Sequence, residues 1–184
     1  MKKRVSVLLA LCLLTALFAG CSVINTSKAE QTPEIQDTIT EHTAFLSDSG
    51  ETYKEYQIVY YGNDSGILRA LVIETHFDHD QYALADLEGL DLEEYYPGFN
   101  SMPFASKQIT DDGDYYTVAV IFKDLDNNDN LHQLDDNGIL RVEFVDGAEG
   151  ITSSSYMDAL RGSGAQELAI TDADYATLHI NYGA

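Results

Sequence analysis

The 184-residue chain has no tryptophan, two cysteines, and ten lysines and arginines against 31 aspartates and glutamates, a formal net charge of −21. Each scarcity excludes something. With no basic patch to neutralise phosphates, the composition argues against nucleic acid as a partner. It equally rules out docking on anionic lipid through a polybasic surface. The missing tryptophan weakens any stacking platform for sugars. Long apolar runs are scarce too: Val5–Phe18 spans 14 residues, short of the roughly 20 that cross a bilayer as a helix. What remains is substantial. Hydrophobic content of 45% and aromatic content of 10% exclude a wholly disordered chain. The length fits one domain with a single sizeable core.

The amino end carries an address. Lys2, Lys3 and Arg4 form a charged region, Val5–Phe18 an apolar region, and Ala19-Gly20 supply small residues before Cys21. This order resembles the lipobox of bacterial lipoproteins, although Phe18 stands three places before the cysteine where leucine is usual. The resemblance implies cleavage after residue 20 and diacylation of Cys21. The plainer alternative is a secreted protein cut near Ala19. Cys12 lies inside the segment that is removed, so Cys21 is left as a lone cysteine with no internal disulfide to form. Two acyl chains give stable anchoring where one is marginal. Processing would remove three cations and no acid, leaving 31 acids against seven bases, a net charge of −24.

Residues 21–50 read as the lipidated cysteine and a polar tether, with Ile35, Ile39 and Phe45-Leu46 able to dock its later part on the domain. A single α+β domain is expected over 51–184. Tyr53–Tyr61 and Ile67–His76 flank Gly62-Asn63-Asp64-Ser65-Gly66, a hairpin pattern. Gln81–Tyr96 is helix-compatible, with Asp78 or Asp80 as N-cap, Gly89 as a weak point and Pro97-Gly98 as its stop. Phe104–Thr110 and Tyr115–Phe122 flank an Asp-Gly turn, the second being apolar on both faces like a central strand. Ile139–Val145 is a strand candidate. Ser153–Ser155 can cap a helix ending at Gly162 and Gly164, and Leu168–Thr171 and Tyr175–Tyr182 are further strand candidates. The fold class is therefore α+β, a mostly antiparallel sheet built from hairpins with one or two short helices.

Several segments together suggest a family. They are the hairpin with Tyr60-Tyr61-Gly62-Asn63-Asp64, an acidic helical stretch, the hairpin containing Asp111-Asp112-Gly113-Asp114-Tyr115-Tyr116-Thr117-Val118, and the late run from Tyr156 to Leu168. Following a lipobox, this order resembles the small YehR-like lipoproteins of bacteria over about 50–184. Members are usually richer in lysine. The resemblance implies an envelope lipoprotein and supplies no catalytic residues.

One segment has the spacing of a cation loop. A calcium loop presents oxygens on alternate residues and closes with a carboxylate at its twelfth place. Asp124, Asp126 and Asn128 occupy places one, three and five, Asn130 the carbonyl place seven, and Asp135 place twelve. Against it, Asp129 fills place six, where glycine makes the sharp turn, and a strand rather than a helix precedes the loop. The plainer alternative is an Asp/Asn-rich connection whose side chains bond their own backbone.

Other constellations are weaker. His76-Phe77-Asp78-His79-Asp80 has zinc-type ligands but lacks an i, i+4 helical pair, and reads better as a strand end running into a cap. No Gly-x-Ser-x-Gly elbow or glycine-rich phosphate loop is present. Glu93-Glu94 and Asp135-Asp136 are adjacent rather than opposed. The pairs Tyr60-Tyr61, Tyr95-Tyr96 and Tyr115-Tyr116 offer stacking surface for sugars or peptides, although on a strand one of each pair faces the core.

The leading expectation is a non-enzymatic binding or accessory module, lipid-anchored through Cys21 on the extracytoplasmic face of the membrane, with an envelope protein or ligand as partner. The alternative is a calcium- or cation-binding envelope protein using Asp124–Asp135. A hydrolase built on His76–Asp80 comes third.

Overall fold

The computed structural model describes residues 40–145 and 147–169, all within one unit spanning Gln36–Ala184. The signal, Cys21, the proximal tether and the strand candidate Tyr175–Tyr182 lie outside the described residues, as do residues 170 and 171 of Leu168–Thr171.

The strands are β1 (Thr40–Ser49), β2 (Tyr53–Gly62), β3 (Leu68–Asp78), β4 (Ala105–Asp111), β5 (Tyr115–Phe122) and β6 (Gln166–Glu167). They form one antiparallel sheet in the order β4-β5-β3-β2-β1-β6. Two turns drive the hairpins expected from sequence. Gly66, at φ 64°, donates to the Gly62 carbonyl and closes β2–β3. Gly113, at φ 86°, sits in the Asp-Gly turn of β4–β5 and donates its amide to Asp111 Oδ1.

The helices are α1 (Leu84–Glu88), α2 (Leu92–Tyr95), α3 (Asn128–Asp136) and α4 (Ser153–Gly162), with a 3₁₀ turn at Phe99–Ser101. They exceed the one or two expected. Gln81–Tyr96 is two short helices broken at Gly89-Leu90, and only the second begins with a side-chain cap. Ala83 precedes α1 without a side-chain bond, so neither Asp78 nor Asp80 caps it, whereas Asp91 accepts the Glu93 amide at 3.0 Å and starts α2. Thr152, one residue before the serines, caps α4 through the Ser155 amide.

Helix-bearing connections on one face of the sheet bury the larger core. Phe45, Leu71, Val120 and Phe122 from strands meet Leu92, Leu131, Tyr156 and Leu160 from helices. Ile139–Val145, expected as a strand, crosses this face without regular pairing. Ile139, Leu140, Val142 and Phe144 pack onto the core instead, so their apolar character serves coverage rather than a ladder. The opposite face buries Ala44, Tyr56, Ile58, Ala70, Val72 and Ala119, joined by Leu168.

The domain begins earlier than residue 51. Residues 40–49, expected as distal tether, are β1, pairing with β2 from Thr40↔Gly62 to Ser49↔Lys54, with Ala44 and Phe45 buried. Thr, His, Ser and Asp disguise the strand, yet its successive residues serve opposite faces as a two-sided strand must.

Candidate functional site

A cleft of about 490 Å³ opens on the helix-covered face, between the sheet and α1–α2. Its volume lies within the range of small-molecule sites, about 300–1,000 Å³. Val118 and Val120 of β5, Phe77 of β3 and Leu87 and Leu92 of the two helices supply an apolar lining. Tyr53, Tyr82, Tyr95 and Tyr96 add aromatic rings, Tyr95 being 61% exposed. Asp48, Glu55 and Asp86 carry the charge. A second cavity of about 580 Å³ shares Glu55, Tyr95 and Tyr96 and is also lined by Gln57, Asn137 and Arg141.

Local structure explains how each group arrives there. β1 carries a bulge between Leu46 and Asp48, so Ser47 is the extra residue and Asp48 pairs with Glu55. Without that insertion Asp48 would point to the other side of the sheet, because strand side chains alternate. Ser47 Oγ donates to Glu55 Oε1 at 2.8 Å, and Tyr53 Oη donates to Asp48 Oδ2 at 2.9 Å. The helical wall is tied down from the sheet edge. Lys107 Nζ on β4 donates to the carbonyls of Leu87, Glu88 and Leu90 at 3.3, 3.0 and 3.2 Å, satisfying the frayed end of α1. Glu93 accepts the amides of Gly98 and Asn100 at 2.6 and 3.0 Å, fixing the turn that follows Tyr95-Tyr96. Gly98 is required there. Its φ is 80°, and a Cβ would stand 3.1 Å from Asn137 Oδ1.

The tyrosine hydroxyls respond to this setting. For Tyr96, burial and then the Glu55 charge raise the pKa above the usual range, with Arg141 pulling the other way. For Tyr53, the hydrogen bond to Asp48 and that carboxylate's charge raise it. Both rings therefore stay neutral donors at ordinary pH.

The residues singled out in the sequence are placed differently. Helix α3 occupies places five to twelve of the supposed cation loop, where a wrapping loop must be unwound. Asn127 caps it through the Asp129 amide. Asp124 stands at φ 54°, and its carbonyl accepts from Asn130 Nδ2. Asp126 faces Arg69 at 3.6 Å, Asn128 Nδ2 donates to the Ala148 carbonyl, and Asp135 accepts the Phe144 amide. The side chains of Asp126, Asn128, Asn130 and Asp135 are thus directed to separate partners. Among the described residues, no three His, Cys, Asp or Glu side chains gather as a metal site.

The two histidines near the end of β3 are also separated. His76 is buried on the face away from the helices, stacked on Tyr115 at 4.3 Å with Nε2 3.5 Å from Glu74. His79 stacks on Tyr116 and lies 3.5 Å from Asp111. Of the tyrosine pairs, Tyr60 and Tyr61 take opposite faces, as do Tyr115 and Tyr116, leaving Tyr95-Tyr96 together at the cleft. That pair was the one advance signal of the site. Its other parts come from four strands and two helices, so no local motif could announce them.

No protein-family model and no curated protein matches the chain. Among solved structures it is similar to the NMR structure of the Escherichia coli YehR protein, at 15% identity and a TM-score of 0.48, covering 77% of this chain and 98% of that one. It is also similar to the NMR structure of a protein from Streptococcus pneumoniae TIGR4, at 14% identity and a TM-score of 0.44, covering 79% and 90%. Both are weak likenesses.

Proposed function

We propose that the protein is an extracytoplasmic lipoprotein, held to the membrane through acylated Cys21, whose sheet domain is a non-enzymatic binding module. The cleft between the sheet and α1–α2 is its site. One observation carries this reading: an apolar, tyrosine-lined cavity of about 490 Å³, two of whose three carboxylates, Glu55 and Asp48, accept hydrogen bonds from Ser47 and Tyr53. An apolar cavity with a few convergent polar groups is the usual form of a small-ligand site. Its polar complement of carboxylates and tyrosine hydroxyls suits selection of a ligand by charge and shape. The charge-region, apolar-region, small-small-cysteine order at residues 2–21 supports the anchor.

Two measurements test the two halves. Labelled palmitate should enter the protein and be lost in Cys21→Ala; label retained by that variant removes the anchor. For the site, the shielding of Leu87 and Val118 resonances in methyl NMR should change when a bound small molecule is present. Perturbations confined to the opposite face, around Ile58 and Val72, would place binding elsewhere.

A further inference from the structure

Resting on that reading of the cleft, we infer that its ligand is a small organic cation: an amine or quaternary ammonium on an apolar stem of a few carbons. Every charged side chain lining the 490 Å³ cleft is a carboxylate, namely Asp48, Glu55 and Asp86. The nearby cations are directed elsewhere. Lys107 holds three backbone carbonyls, and Arg141 lines not this cleft but the adjoining cavity, which shares Glu55, Tyr95 and Tyr96 with it.

The placement of the acids strengthens the argument. Asp48 and Glu55 are cross-strand partners, and like charges directly opposite one another destabilise a strand pair. The bulge at Ser47 creates this opposition by turning Asp48 onto the cleft side. Ser47 and Tyr53 each donate to one of the carboxylates, which orients the pair but leaves both charges in place. A cation seated between them removes the repulsion, and the gain appears only on binding.

Aromatic rings fit the same ligand. Tyr53, Tyr82, Tyr95 and Tyr96 line the cleft, and tyrosine faces attract ammonium groups through the ring quadrupole. Beyond them the floor of Val118, Val120, Leu87 and Leu92 accepts an apolar stem. A free small molecule fills this volume. The same chemistry on a lysine of a basic polypeptide is the competing source, and the test separates the two.

The test titrates the full-length protein calorimetrically with hexyltrimethylammonium, hexan-1-ol and hexanesulfonate. The cation should give saturable binding, with the neutral and anionic probes weaker by about tenfold or more. Asp48→Asn with Glu55→Gln should weaken the cation about tenfold while retaining a cooperative melt. Glu55→Lys, if folded by the same melt, should favour hexanesulfonate over the cation. Hexan-1-ol binding as tightly as the cation would overturn the inference and leave the cleft reading standing. Failure of all three probes to bind would overturn both. Binding of an oligolysine peptide without binding of hexyltrimethylammonium would overturn the small-molecule assignment.

Discussion

Asp48 and Glu55 stand directly opposite one another on neighbouring antiparallel strands, two carboxylates where a strand pair ordinarily places complementary groups. The relationship sets stability against binding at a single position. Glu55→Gln keeps an acceptor for Ser47 and removes one of the two charges. Without ligand the variant should therefore be more stable than the parent, by about 0.2–1 kcal/mol on the scale of cross-strand pairs. Urea denaturation at low salt measures this. Added salt should narrow the difference, because screening weakens the same repulsion in the parent.

The wall of the cleft depends on one ammonium. Lys107 Nζ reaches the carbonyls of Leu87, Glu88 and Leu90 where the bonding of α1 runs out, the Leu87 carbonyl also accepting the Leu90 amide. Lys107→Met keeps the aliphatic stem and removes all three donors. The variant should lose about 1–3 kcal/mol, the cost of leaving hydrogen-bonding groups unmet. Hydrogen exchange should rise in Leu84–Glu88 more than in β2 or β3. Uniform exchange across both regions would show that Lys107 acts on the whole fold rather than on this wall.

How much of this was legible in the chain depends on whether the signal was local. Gly62–Gly66 and Asp111–Asp114 dictate backbone shapes within a few residues, and both hairpins were readable from them. β1 was hidden because its alternation lies between Thr43, Phe45 and Ser47 on one side and Ala44 and Leu46 on the other, which blurs any polar-apolar period. Helix α3 was hidden by composition. Asn128, Asp129, Asn130, Asp135 and Asp136 are poor helix formers, and only Leu131 and Leu134, both buried, mark its inner face. Tertiary burial outweighed propensity there. The cleft was least legible, since Asp48 reaches it only through a bulge and Val118 only through the pairing of β5 with β3.

Helix α3 leads to a prediction about calcium. Its N-terminus is closed by Asn127, and the residues spaced like cation ligands are bonded to Arg69, Ala148 and Phe144 instead. Unwinding the helix to wrap an ion would forfeit these bonds and expose Leu131 and Leu134. Calcium at millimolar concentration should accordingly leave the melting temperature where a chelator leaves it. A rise that Asp124→Ala abolishes would restore the cation loop, because a ligand of the native state raises apparent stability. Asn127→Ala, by contrast, should cost about 0.5–2 kcal/mol with or without calcium, as loss of an N-cap does.

Acid should weaken the fold through His42. Partial burial lowers its pKa from the ordinary value of 6.5, and the ring lies 5.2 Å from that of Tyr60. The unfolded chain then takes up a proton at a higher pH than the folded one. Stability is full above the unfolded value and falls as pH drops below about 6.5, levelling once the folded ring is also protonated. His42→Gln should flatten this part of the profile between pH 7.5 and 5.5 in urea melts. An unchanged slope would assign the acid sensitivity to other groups.

Alkali should act in the opposite sense through two tyrosines. Burial raises the pKa of both Tyr96 and Tyr156 well above 10, the Glu55 charge adding to it at Tyr96 and Arg141 opposing it at each. The folded chain holds these protons when the unfolded chain has released them, so stability is intact below pH 10 and declines as pH rises beyond it. Absorbance at the phenolate band should show most of the twelve tyrosines ionising reversibly, while these two ionise only in step with loss of the far-ultraviolet dichroism. Tyr156→Phe keeps the ring that packs beside Leu160 and should remove one of the late ionisations. If that variant titrates like the parent, Tyr156 ionises freely within the fold and its burial exerts no hold on the proton.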